Sequence, residues 1–240
     1  MLALGALAVA VASFVGGATG FGYALICTPL LLLVGYPLDF VVTSNLALSL
    51  VTRISVVYRF REHVVVRRVA YLIAGLVPGL VVGLWVLDSV STRALEISAG
   101  AIVVVIALLL ARSLDAPPPA PLPGGPGVAG FVGGVMGATT SLSGVAPALL
   151  LAREETKPAS FIGDLAAYFV VSCAILLAGL GIGDRISTEA LYPAFVVWLP
   201  VSLAGNLLGT IAGTRLPPRL FRRAVLALLV VCGAVAAATA

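Results

Sequence analysis

The feature that most limits what this chain can fold into is the spacing of its charges. Lys and Arg number 14 and Asp and Glu 10 among 240 residues, and they gather in short clusters. Between the clusters run apolar stretches of about 20 residues, the length of helix that crosses a hydrocarbon core about 30 Å thick. The chain is 61% hydrophobic and 10% charged, whereas soluble domains carry about 25% charged residues. A water-soluble globule of this size could not hide so much apolar surface. The sequence therefore specifies an all-α polytopic membrane protein with the lipid bilayer as its solvent.

Several function classes fall away at once. The net charge of +4 would suit nucleic acid in a soluble protein. Here the basic residues flank apolar spans, where they set orientation, so no nucleic-acid partner is expected. Cys27, Cys173 and Cys232 each lie inside an apolar run with no CxxC pair and read as small buried hydrophobes. His63, the single histidine, sits in a basic loop, which argues against a metal site or a histidine proton relay. No metal and no cofactor are expected. The opening MLALGALAVAVASF has the look of a signal-peptide core, but it lacks a basic start and leads into a segment that recurs later. It is read as part of the mature fold.

Apolar segments cover residues 2–34, 40–57, 69–87, 94–111, 127–152, 160–180, 190–212 and 224–238. The stretch APPPAPLPGGPG at 116–127 cannot continue a helix and favours stiff polyproline II. It divides the chain into an N-terminal membrane repeat (1–112), a Pro-rich linker (113–126) and a C-terminal membrane repeat (127–240). The halves share an order of residues. Phe14-Val15-Gly16-Gly17-Ala18-Thr19-Gly20 matches Phe131-Val132-Gly133-Gly134-Val135-Met136-Gly137. Further on, Pro29-Leu30-Leu31-Leu32 matches Pro147-Ala148-Leu149-Leu150, the offset being 117 residues at the glycines and 118 at the proline.

Charge distribution constrains how the repeats face. If every apolar segment crosses once, basic residues divide evenly between the two sides and give no orientation. If the fifth segment enters and returns on one side, eleven basic residues fall on one face and two, Arg93 and Arg185, on the other. Such a bias marks the cytoplasmic face of an inner-membrane protein, with loops 58–68 and 215–223 inside. The local sequence permits this return. Gly137–Gly144 interrupts segment five as Gly16–Gly22 interrupts segment one, and non-helical backbone at membrane depth survives where protein or a wet cavity satisfies it. A broken-helix hairpin plus about three transmembrane helices makes each repeat odd in crossings. The two repeats would then be inverted, a common transporter plan.

Helix N-termini at two such breaks would favour an anion. Gly20 and Gly22 would let a ligand approach closely, and Thr139, Thr140, Ser141, Ser143 and Gly144 would line the second break. The competing reading is that the glycines pack helices and the hydroxyls bond back to their own helix. Arg53 is the basic residue deepest in an apolar span, so it marks either a functional site or a side chain that snorkels toward Arg59. Thr43, Ser44 and Asn45 open the same span and either cap it or face the pocket. Asp164, near the start of segment six, is a helix cap, a partner for a cation, or a proton-coupling group. Asn206 reads as an interhelical hydrogen bonder, Trp85 as an interfacial belt residue and Trp198 as packing.

GGATGFGYALICTPLLLLVGYP in the first half resembles the first signature of the TauE/SafE (sulfite exporter) membrane proteins, and FVGGVMGATTSLSGVAPALLLA is similar to the second. The resemblance implies transport of a small sulfur-containing anion: sulfite, sulfoacetate or a related organosulfonate. Carried over by motif position, it places Gly20, Gly22 and Pro29 at the pocket, with Ser143, Gly144 and Pro147 from the second unit. The second break departs from the pattern. Ala138-Thr139-Thr140 replaces a glycine-rich run, and Val145-Ala146 precedes Pro147 in place of a Gly-Pro.

The expected function is a secondary carrier alternating access to a midplane pocket. No GxxxxGK[ST] motif is present, so the chain itself does not hydrolyse nucleotide. Two alternatives are weaker. An intramembrane lipid-phosphate enzyme needs clustered acid, base or metal groups, and only Glu154-Glu155 are adjacent acids. A metal-cation permease needs His, Met or carboxylate ligands within the membrane. A homo-oligomer is left open.

Overall fold

The computed structural model describes residues 1–91, 93–94, 101, 105, 125–153, 158–183, 186 and 188–213. Most of segment 94–111, most of the Pro-rich linker and segment 224–238 lie outside the described residues. So do Arg112, Lys157, Arg185 and the basic cluster at 215–223. Among the described residues the chain forms eight α-helices: α1 (Leu2–Thr19), α2 (Tyr23–Val34), α3 (Leu38–Phe60), α4 (Val66–Ser89), α5 (Gly125–Thr140), α6 (Val145–Arg153), α7 (Pro158–Ile182) and α8 (Thr188–Gly213). A 3-10 turn, Arg61–His63, joins α3 to α4. Helices α1, α3, α4, α7 and α8 are long and apolar enough to cross a membrane. Helix α2 has 12 residues and α6 has 9. At 1.5 Å per residue they rise about 18 and 14 Å, well short of a hydrocarbon core.

The short helices exist because two longer runs are broken. Gly20 adopts φ 84°, and its N–H donates to the Gly16 carbonyl at 2.9 Å, so α1 closes on a left-handed glycine. Thr19 Oγ1 donates to the Val15 carbonyl at 2.8 Å and accepts from the Gly22 N–H at 3.0 Å, holding the turn before α2 restarts. In the second half the left-handed position is filled by Ser141, at φ 61°. Both breaks are narrower than the sequence suggested. Gly16 and Gly17 stay in α1, and Gly137–Thr140 stay in α5. Thr139 and Thr140 close the last turn by donating to the Val135 and Met136 carbonyls at 2.9 and 2.8 Å.

At each break the chain turns back on itself. Met1 Cε lies 3.5 Å from the position a Cβ would take at Gly35, just past the end of α2. The Trp198 indole on α8 donates to the Leu2 carbonyl at 3.2 Å and meets Tyr36 and Phe40 edge-on at 5.3 and 5.8 Å. Both ends of the α1–α2 hairpin and the start of α3 thus converge on one buried indole, which gives Trp198 its packing role. In the second hairpin, the Ser143 carbonyl and Pro147 crowd over Gly133, which brings α6 back against α5.

Glycine stripes set the long-range pairing. On α4, Gly75, Gly79 and Gly83 lie one turn apart and face the Gly127 carbonyl, the Phe131 carbonyl and the Val135–Ala138 turn of α5. On α8, Gly205 and Gly209 face the Ala10 and Phe14 carbonyls of α1, and α1 returns the contact with Gly17 against the Asn206 carbonyl. A Cβ at Gly75, Gly79, Gly17 or Gly209 would strike backbone, so these helices touch main chain to main chain. Residue numbers rise together along both members, so each pair runs parallel. Ser13 and Ser202 hydroxyls, 2.8 Å apart, and Thr210 Oγ1 donating to the Gly17 carbonyl at 3.3 Å reinforce α1–α8. Asn206, expected to bond across helices through its side chain, makes its contact with Gly17 through its carbonyl. The two pairings are reciprocal: the first helix of each half packs on the last described helix, α8 or α4, that belongs to the other half.

Helices α3 and α7 cross antiparallel at the centre. Gly163 faces the Phe60 carbonyl, and further along α7 the Arg53 guanidinium lies over Phe169. The outer surface is apolar, with Leu4, Leu7, Val77, Val81, Val196 and Leu207 exposed, as a lipid-facing surface is. Trp85 is 67% exposed on α4.

Candidate functional site

Polar side chains that would be costly in lipid are gathered inside. On α3, Asn45, Ser49, Thr52 and Arg53 fall within about 100° of one helical face, and all four are buried. Asn45 Nδ2 donates to Thr28 Oγ1 at 3.1 Å and to Ser141 Oγ at 3.2 Å. Thr28 and Ser141 hydroxyls lie 3.0 Å apart, and Thr28 Oγ1 donates to the Thr140 carbonyl at 3.3 Å. This small network joins α2, α3 and the second break. Asn45 Oδ1 and Ser143 Oγ are buried with no hydrogen-bond partner.

Arg53 does not snorkel. Its side chain is buried at 4% exposure, with Nη2 donating to the Gly16 carbonyl at 3.4 Å. The guanidinium carbon lies 5.2 Å from the Phe169 ring centre. The rim of that ring occupies the space where Gly144 would carry a Cβ. Arg53 therefore bridges the last turn of α1, next to the first break, and the aromatic ring under the second. Among the described residues no carboxylate lies within ion-pairing distance of it. The helix turns the side chain inward because outward it would meet lipid, and inward it finds a carbonyl and an aromatic face.

The remaining sequence candidates separate into two groups. Asn45, the Thr140 carbonyl and Ser141 come together, and Gly144 joins Arg53 through Phe169. Thr43 and Ser44 donate to the Asp39 and Val41 carbonyls of their own helix, and Thr139 does the same with Val135. Gly20 and Gly22 form the first break and lie near Ile162 and Thr19. Asp164, fully buried, accepts from the Val65 N–H and from Arg68 Nη1, both at 2.6 Å. It ties the α3–α4 turn to α7 as the partner of a cation. Thr28 was not anticipated: its one signal in the sequence is its place directly before Pro29. Among the described residues, no group of three or more His, Cys, Asp or Glu could hold a metal.

Broken helices folded back around a buried cation, inside a lipid-facing apolar shell, define a polytopic α-helical membrane protein whose chemistry is internal. The chain belongs to the Sulfite exporter TauE/SafE family, whose sequence model matches residues 5–236. Neither a curated protein nor a solved structure matches it. The family is one of transporters, so the chain is a multi-pass membrane transporter of sulfite or related anions and not an enzyme.

Proposed function

We propose that the chain is a secondary carrier of one small sulfur-containing anion (sulfite, sulfoacetate or a related organosulfonate) that binds at Arg53 and is exposed alternately to the two sides of the inner membrane. The observation that carries this reading is the buried, acid-free guanidinium. A buried charge is tolerated when paired, and an anion supplies the pairing that no described side chain does. Gly20, Gly22, Ser143 and Gly144 frame the two breaks, where the positive poles of α2 and α6 favour negative charge.

In this reading the halves are inverted repeats, supported by the antiparallel crossing of α3 and α7 and by the reciprocal α1–α8 and α4–α5 pairs. The hairpins α1–α2 and α5–α6 are re-entrant from opposite faces, with loops 58–68 and 215–223 cytoplasmic. Asp164, engaged by Arg68, holds the closed α3–α4 turn and is not assigned the coupling step.

A thermal-stability panel of sulfite, sulfate, thiosulfate, sulfoacetate and taurine on purified protein tests the reading, because a ligand that binds the native state raises apparent stability. One sulfur anion is expected to stabilise the wild type selectively and to have no effect on Arg53→Gln. Equal stabilisation of both proteins would reject Arg53 as the anion's partner.

A further inference from the structure

Hydrogen-bond donors without acceptors collect beside Arg53. Its Nη2 reaches the Gly16 carbonyl, and no described residue accepts from the other guanidinium N–H groups. Tyr23, the first residue of α2, is its neighbour through Gly16. The Gly16 carbonyl accepts from Arg53, and a Cβ on Gly16 would lie 2.6 Å from Tyr23 Cβ. The Arg53 charge acts on the Tyr23 hydroxyl and on the Cys173 thiol, one turn along α7 from Phe169. All of these side chains are buried.

The Tyr23 phenol has a proton to give and nothing to give it to. Cys27, one turn further along α2, donates through Sγ to the Tyr23 hydroxyl oxygen at 3.5 Å. The thiol proton thus occupies a lone pair of the phenol oxygen, and the phenol's own proton stays unplaced. No described residue accepts it. A hydroxyl taken out of water without a new acceptor loses the bond it made there, and a ligand that brings an acceptor restores it. The guanidinium, the phenol and the thiol of Cys27 all offer protons, so this lining suits a negatively charged ligand rich in acceptors. No side chain caps the start of α2 at Tyr23, and the positive pole of that helix acts in the same sense.

We propose that the Tyr23 hydroxyl donates to the anion held by Arg53 and is its second anchor. This deepens the anion reading of Arg53 and rests on it. A guanidinium fork meets two oxygens of an oxyanion, and the three oxygens on the sulfur of sulfite or a sulfonate leave one for the phenol. The anion then joins α3, through Arg53, to the first hairpin, through Tyr23 at the foot of α2.

The test is a thermal-stability titration of purified full-length protein with sulfite and, separately, with sulfoacetate. Tyr23→Phe keeps the ring beside Gly16 and removes the hydroxyl alone. Its melting temperature without ligand should stay close to wild type, because the bond it gives up comes from a weak S–H donor. The concentration of the stabilising anion at half-effect should rise about tenfold or more, as for a lost hydrogen bond to a charged group. Cys27→Ala disturbs the same contact but leaves the phenol proton in place, and should bind the anion as the wild type does. An unchanged half-effect in Tyr23→Phe overturns the proposal, and so does an equal weakening in Cys27→Ala, which would make the effect one of packing. If the response is lost in Arg53→Gln but intact in Tyr23→Phe, the anion reading stands and Tyr23 has no part in it. If neither anion shifts the wild type, both readings fall.

Discussion

The Arg53 guanidinium rests over the Phe169 ring, 5.2 Å from its centre, and the Cζ end of that ring fills the space beside Gly144. One aromatic side chain from α7 thus couples a cation on α3 to the backbone of the second break. The break cannot shift without moving the ring, and the ring cannot move without changing what the cation rests on. A ligand that pairs with Arg53 is in this way linked to the position of the α5–α6 turn.

Replacing Arg53 by Gln should lower sulfite flux in proteoliposomes by at least about a hundredfold, since removing one partner of a buried charge pair costs about 3–5 kcal/mol. Arg53→Lys keeps the charge but loses the planar contact with Phe169 and should retain a measurable fraction. Radiolabelled-sulfite uptake checks both. Flux in Arg53→Gln at the wild-type level would remove the residue from the mechanism.

Gly144→Ala places a methyl against Phe169. It should reduce flux while leaving the purified protein folded, because the displaced ring takes the Arg53 platform with it. The double variant Gly144→Ala/Phe169→Leu removes the collision and should recover part of the stability lost. A melting curve and a flux assay on the same preparations distinguish this from a general packing defect.

Asp164→Asn should destabilise the protein by about 1–3 kcal/mol, the cost of hydrogen bonds that lose a charged acceptor. Arg68→Gln should cost at least as much, because it leaves the fully buried Asp164 carboxylate without the Arg68 charge, whereas the part-exposed Arg68 left by Asp164→Asn keeps access to solvent. The two together should cost less than the sum of the single changes, as coupled partners do. Additive losses in melting experiments would show that the pair does not act as a unit.

On the α4 stripe, Gly79→Ala drives a methyl into the Phe131 carbonyl and should destabilise the fold by about 1–3 kcal/mol, the range for overpacked sites. Gly181→Ala is the control, since the nearest atom to its added carbon is the tip of Ile186 at 3.7 Å. It should be neutral, or stabilising by up to about 1 kcal/mol through helix propensity. Equal effects of the two would mean that α4 and α5 do not touch main chain to main chain.

For the first hairpin, single cysteines at Leu2 and Asp39 in a background lacking Cys27, Cys173 and Cys232 should react with an impermeant maleimide from the same side of the membrane. A cysteine at Arg61 should react from the other side. Labelling of Leu2 and Asp39 from opposite sides would show that α1 and α2 cross as one span and would end the re-entrant reading.

Much of this architecture was legible in the residues themselves. The apolar spans, the two interrupted runs and the list of polar residues that need an explanation, Asn45, Ser141 and Arg53 among them, can be read because helix length, glycine content and the cost of a polar group in lipid are local properties. The extent of each break was not legible. Whether Thr139 and Thr140 open a turn or close one depends on which carbonyl their hydroxyls reach. Tertiary structure alone decided that Arg53 points inward, that Asp164 pairs with Arg68, and that Thr28 joins the polar network. It also decided the exchange by which α1 packs on α8 and α5 on α4. These contacts join residues far apart in the chain, up to 196 positions in the case of Leu2 and Trp198. A stripe of glycines states that a helix can be approached closely, but any flat helical face satisfies that statement. The choice of partner comes from fitting all the helices around one interior at once.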